Sequence, residues 1–134
     1  MAGVASGATE NSHPFLGHGR PFVKLAVSGV QTNALIDTGS THTLISTSLF
    51  SKIPQQLPLS RAPRLLSASG DAIQAIGSTI VMIARQPLYA VVCQKLGIDL
   101  LLGANVLKDC VLDLTQKVIK FPQSTFPIIL SRSK

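Results

Sequence analysis

Apolar residues in this chain come in short runs, and each run ends at Gly, Pro or a cluster of small polar residues. Runs punctuated in this way predict many short strands joined by tight turns rather than a helical bundle. The first strand is residues 22–27, closed by a turn at Ser28-Gly29-Val30-Gln31. A second, residues 32–36, leads straight into Asp37-Thr38-Gly39-Ser40, and extended character resumes at Leu44-Ile45-Ser46. Pro54, Pro58 and Pro63 keep residues 51–63 out of a central strand, because Pro cannot donate to a sheet ladder. That stretch is a loop or an edge. Residues 64–77 read as two extended arms around Ser69-Gly70-Asp71, a hairpin with Gly in its tip. Residues 78–85 continue the second arm, and residues 88–93 form a further buried strand. Residues 103–109 are the one helix candidate, residues 111–114 and 117–121 form a closing hairpin, and residues 126–130 a last strand. There is no internal repeat.

Composition agrees with this. The chain has 134 residues, 46% hydrophobic and 13% charged, which is enough for one domain with a real core and too apolar for disorder. Aromatics are only 4%, with no Trp, so Val, Ile and Leu must fill that core. Residues 1–20 hold few large apolar side chains before Phe15 and Leu16 and are expected to be a flexible leader, with the folded domain at residues 21–134. The N-terminus lacks the basic start and apolar stretch of a signal peptide, and no apolar run reaches the length of a membrane span. The expectation is a soluble, intracellular protein that does not engage a membrane.

Twelve Lys and Arg against six acids give a net charge of +6, but the basic residues are dispersed and no stripe of them interleaves with aromatics. Nucleic acid is therefore not expected as a partner. Cys93 and Cys110 are isolated in apolar surroundings and read as two buried free thiols rather than a disulfide. His13, His18 and His42 have no ligand spacing with each other or with the cysteines, so neither a metal nor another cofactor is expected.

One carboxylate stands apart. Asp37 follows the apolar Ala34-Leu35-Ile36 and precedes Thr38-Gly39-Ser40. Asp, Thr, Gly and Ser are turn residues, and such a triplet alone is compatible with a plain turn. Its setting is more specific, because an apolar strand delivers the Asp into the loop and Leu44-Ile45 leaves it. The run 34–40 resembles the active-site loop of aspartic proteases. Downstream, Leu101-Leu102-Gly103-Ala104-Asn105-Val106-Leu107 resembles the apolar-apolar-Gly motif and helix start of the retroviral type. Between the two, Leu66-Ser67-Ala68-Ser69-Gly70-Asp71-Ala72-Ile73 resembles the flap hairpin of retroelement proteases. Three motifs in the right order, spanning residues 21 to about 121, identify the chain as similar to the retropepsin-like proteases of retroviruses and gypsy-like LTR retrotransposons.

The resemblance implies a mostly β, closed barrel-like fold with a flap hairpin and one short C-terminal helix. It implies an aspartic endopeptidase in which two carboxylates share one proton, one acting as base toward water and the other as acid toward the leaving group. The remaining acids, Asp71, Asp99, Asp109 and Asp113 among them, lack a following Ser/Thr-Gly, so the pair needs Asp37 from two chains of a homodimer. By the same resemblance Thr38 links the two loops across the dimer axis, Gly39 lets substrate approach the backbone, and Ser40 orients the Asp37 carboxylate. Ser67, Ala68, Ser69, Gly70 and Asp71 form the flap tip over an extended polypeptide substrate. Leu101, Leu102, Gly103 and Asn105 are structural, with Asn105 bonding the backbone near Thr43. Many retroviral members carry an Asp–Arg pair where this chain has Thr41 and Ala104; both partners are missing together, so no charge is stranded. The termini of the two chains are expected to interleave, through residues 22–25 and either 118–121 or 126–130. The function implied is processing of a retroelement polyprotein, with release from a larger Gag-Pol-type precursor. The alternatives are a cellular retropepsin-like domain of the ubiquitin-shuttle type and a non-catalytic peptide-binding dimerisation module.

Overall fold

Every second residue of the first strand points inward, and that alternation sets the architecture. The computed structural model describes residues 20–67 and 70–131. In β1 (Arg20–Val27), Val23, Leu25 and Val27 are buried, while Lys24 is exposed. The chain reverses at Ser28 and Gly29 (φ 47° and 89°), a two-residue turn whose positive φ values match the twist of the paired strands. It returns as β2 (Val30–Ile36), whose last three residues, Ala34, Leu35 and Ile36, are all buried. Continuous burial marks a strand covered on both faces.

The next four strands explain that cover. They are β3 (Leu44–Ser46), β4 (Ala75–Ile83), β5 (Gln86–Cys93) and β6 (Leu100–Leu102). The sheet runs β1-β2-β6-β3-β5-β4, and β4 returns to β1 through the Val27–Ile83 pair, so the strands close on themselves. Successive strand residues face opposite sides, so Ile45, Val92, Leu100 and Leu102 enter the main core while Leu44, Val91, Cys93 and Leu101 face outward. Those outward residues meet Leu65, Ile73 and Leu96 in a second, smaller apolar cluster. The expected mostly β architecture with a short helix at Ala104–Leu107 is therefore what the chain forms.

A further helix was not foreseen. Between β3 and the Pro-rich stretch the chain forms α1 (Thr47–Lys52), so the helix at Ala104–Leu107 is α2. Ser46 caps α1: its Oγ accepts from the Leu49 N–H at 2.9 Å and donates to Asp99 Oδ1 at 3.0 Å. Six residues are too few to show a helical period in the sequence. The Pro-rich stretch beyond it lies along an edge as expected, with Ser60 and Ser78 exchanging backbone bonds of 2.8 and 3.0 Å. Leu59 packs so closely on β4 that a Cβ at Gly77 would lie 2.8 Å from its own Cβ.

The C-terminal expectation needs correction. The segments expected to interleave with a partner pair within one chain instead. A smaller sheet holds β7 (Val111–Asp113), β8 (Val118–Lys120) and β9 (Thr125–Pro127), and β10 (Ile129–Ser131) pairs antiparallel with β1 through Phe22–Ile129. Ile128 is buried, and the Phe121 and Phe126 rings meet edge to face at 5.6 Å. Apolar burial and a vacant β1 edge are both satisfied locally, so this run is no free tail. The leader falls almost wholly outside the described residues.

Cys93 and Cys110 are both free thiols. Cys93 is fully buried, and desolvation pushes its thiol up to about 11. Cys110, half-buried, rises to about 11 through burial and then the Asp109 carboxylate. A thiol held neutral in the fold but free to ionise once unfolded favours unfolding as pH rises from about 9 toward 11. Stability is accordingly expected to fall across that window, with Cys93 contributing about 2 kcal/mol of the loss. Denaturant titrations at several alkaline pH values check this: Cys93→Ala flattens the decline if the buried thiol causes it.

Candidate active site

Strand β2 carries the chain to Asp37, and β6 lies parallel beside it, pairing Ile36 with Leu102. The Asp37 N–H donates to the Leu102 carbonyl at 3.1 Å, extending that ladder by one rung. Past this point the chain turns. Gly39 N–H donates to Asp37 Oδ1 at 3.0 Å, and Ser40 N–H to the Asp37 carbonyl at 3.2 Å. Asp37 is thus half-buried, with one carboxylate oxygen held by the loop backbone, and Thr38 and Gly39 are exposed beside it.

The loop is braced by a second segment. Ala104 N–H donates to the Ser40 carbonyl at 2.7 Å. Thr43, fully buried, has a hydroxyl that must be satisfied internally. It accepts from the Gly103 N–H at 3.0 Å and donates to Asn105 Oδ1 at 2.8 Å. Asn105 Nδ2 in turn donates to the Tyr89 carbonyl at 2.9 Å. Gly103 has no alternative at its position, because a Cβ there would overlap the His42 carbonyl. Leu102, Gly103, Ala104 and Asn105 therefore fix where Asp37 points without any charge. Where an Asp–Arg pair was noted as missing, Ala104 contributes its backbone, and Thr41 Oγ1 lies 2.8 Å from His42 Nδ1.

Two expected roles differ in detail. Ser40 Oγ donates to the His42 carbonyl at 2.8 Å rather than to Asp37, so it stiffens the loop and leaves the carboxylate to Gly39. Asn105 reaches the Thr43 side chain, not its backbone; the backbone it bonds is that of Tyr89. Thr43 itself was missed as a site residue. The only signal was a Thr set directly before an apolar strand run, where a hydroxyl has to find partners.

The expected hairpin is present at residues 65–73. Leu66 pairs with Ala72, Ile73 N–H donates to the Leu65 carbonyl at 3.0 Å, and Ser67 N–H to the Asp71 carbonyl at 2.8 Å. Gly70 takes φ 92°, a conformation that favours a residue without Cβ. Ala68 and Ser69 of the tip lie outside the described residues. Leu65 and Ile73 share the small cluster with Leu101, so the hairpin stands over the strand that braces Asp37.

A family model described as aspartyl protease matches residues 23–106, more than half of the chain. No curated protein matches the sequence significantly. Solved structures do share the fold. The retroviral protease-like domain of Ddi1 from Leishmania major superposes with a TM-score of 0.63 at 17% identity, covering 82% of this chain and 92% of that one. EIAV protease, in complex with the inhibitor HBY-793, gives 0.60 at 18% identity, covering 69% and 89%.

Proposed function

The chain belongs to the aspartyl protease family and has the retropepsin-like fold, and from that premise we propose that it is an aspartic endopeptidase acting as a homodimer on extended polypeptides. The observation that carries this reading is the presentation of Asp37: a half-exposed carboxylate at a strand end, held by Gly39 and braced at four points by residues 102–105. In the proposed mechanism the two Asp37 carboxylates hold one proton and one water between them. The ionised carboxylate takes a proton from the water as its oxygen attacks the peptide carbonyl carbon. The protonated one gives its proton to the carbonyl oxygen. The proton taken from the water then passes to the leaving nitrogen as the C–N bond breaks, and the diol hydroxyl returns a proton to the pair as the new carboxyl group forms. No metal or covalent intermediate is called for.

A second chain is needed because, apart from Asp71 in the hairpin, the other described carboxylates are committed elsewhere. Asp99 accepts from Ser46, Asp109 pairs with Lys108, and Asp113 accepts from the Gln116 N–H and faces Lys120. With β10 folded onto its own β1, we assign the partner to the outer edge of β7, where Val111 and Leu114 are 59% and 45% exposed. A strand edge beside exposed apolar residues is a pairing site. Specific activity is then expected to fall on dilution in step with the dimer fraction measured by sedimentation, and Val111→Glu to move both curves to higher concentration. Activity that stays constant into the monomer range would defeat the dimer mechanism.

We take residues 21–134 as the catalytic unit and polyprotein processing, with release from a Gag-Pol-type precursor inside the cell, as its biological role. The likeness to the Leishmania domain supports a second reading, a cellular retropepsin-like domain. Incubation with a peptide library, with and without a statine-type inhibitor, separates either enzyme from a binding module that has kept only the groove.

A further inference from the structure

Three residues of the small cluster beside the site have an exposed cation as their chain neighbour. Ala62, Leu65 and Leu96 all belong to it or pack against it. Their chain neighbours Arg61, Arg64 and Lys95 are exposed. Among the described residues the ion pairs are Lys108–Asp109 and Lys120–Asp113, so these three cations are unpaired. No acid occurs in residues 60–67 or 94–98. The two segments are fastened to one structure: Gln94 N–H donates to the Gln74 carbonyl at 2.8 Å, and Ile73 N–H to Leu65, so Lys95 and Arg64 flank the base of the same hairpin. Leu101, in the same cluster, directly precedes the residue that accepts from the Asp37 N–H.

We propose that Arg61, Arg64 and Lys95 form a cationic collar that selects acidic peptides, with carboxylates flanking an apolar core that rests against the hairpin base. This rests on the reading of Asp37 as a peptidase residue. The three cations outnumber the one acid of the hairpin, Asp71, and the other acids are engaged apart from it: Asp109 and Asp113 in or near the smaller sheet, and Asp99 accepting from Ser46. Peptide is favoured over nucleic acid because the cluster contains no aromatic ring on which a base would stack.

The test uses three fluorogenic peptides with one apolar core, flanked by Glu, Gln or Lys. Exposed charge pairs are each worth about two- to fivefold, so at about 50 mM salt the Glu peptide is expected to exceed the Gln peptide in kcat/KM by about tenfold. That ratio shrinks toward one at about 500 mM salt. Arg64→Glu combined with Lys95→Glu inverts the order in favour of the Lys peptide, with thermal unfolding monitored to show that the fold is kept. Binding of the same peptides to an Asp37→Asn chain, read by fluorescence anisotropy, separates the two ideas. Preferential binding of the Glu peptide, lost in the double charge reversal, upholds the collar even if nothing is cleaved and the peptidase reading fails. Equal values for Glu and Gln peptides at low salt overturn it, as does tighter binding of a single-stranded oligonucleotide of the same charge.

Discussion

Asp37→Asn is expected to lower kcat/KM for any cleaved peptide by about 10³-fold or more, while unfolding stability changes by less than about 1 kcal/mol. The two halves of that expectation have separate causes. An amide cannot take a proton from water at neutral pH, so the general base is gone. Its oxygen still accepts from the Gly39 N–H, as Asp37 Oδ1 does at 3.0 Å, so the loop keeps its shape. The measurement pairs a peptide cleavage assay with denaturant unfolding of both proteins. Turnover by the Asn variant at the parent's rate would reduce Asp37 to a turn residue and end the proposed mechanism.

Gly103→Ala is expected to destabilise the fold by about 3 kcal/mol or more and to remove activity with it. The added methyl would overlap the His42 carbonyl, which is backbone and has no rotamer to change. Relief requires moving either the 41–43 segment or the 102–105 segment, and either movement breaks the Gly103–Thr43 and Ala104–Ser40 bonds. A lowered denaturation midpoint with an unchanged slope is the expected signature. Parent-like stability would mean that the close approach relaxes at no cost and that the brace matters less than its geometry implies.

What the sequence made legible follows from how each feature is encoded. The Asp37 loop, the strand that feeds it and the Leu101-Leu102-Gly103 run are written in contiguous residues, and they sit together where they were expected. The hairpin at 65–73 is signalled by Gly70 and its flanking arms, and it too is present. Helix α1 was hidden because one and a half turns carry no period; only Ser46, Lys52 and Pro54 marked its ends. Thr43 was hidden for a different reason, since its partners Gly103 and Asn105 are close in space and distant in sequence. The same holds for β10. An apolar C-terminal run declares that it must be covered, but not by which chain, and the vacant edge of its own β1 provides the cover.

The brace on Asp37 also sets an order in time. Thr43 meets Gly103 and Asn105 across separations of 60 and 62 residues, and β1 meets β10 across almost the whole folded length. Contacts this distant close loops before they yield stabilisation, so they form late, after local hairpins such as β1–β2. During synthesis the Asp37 loop emerges long before the residues that hold it, and the hairpin above it comes out before β6 beneath it exists. A ribosome-bound chain therefore carries its carboxylate without the geometry to use it. The topology delays the braced geometry of the Asp37 loop until translation has passed residue 105.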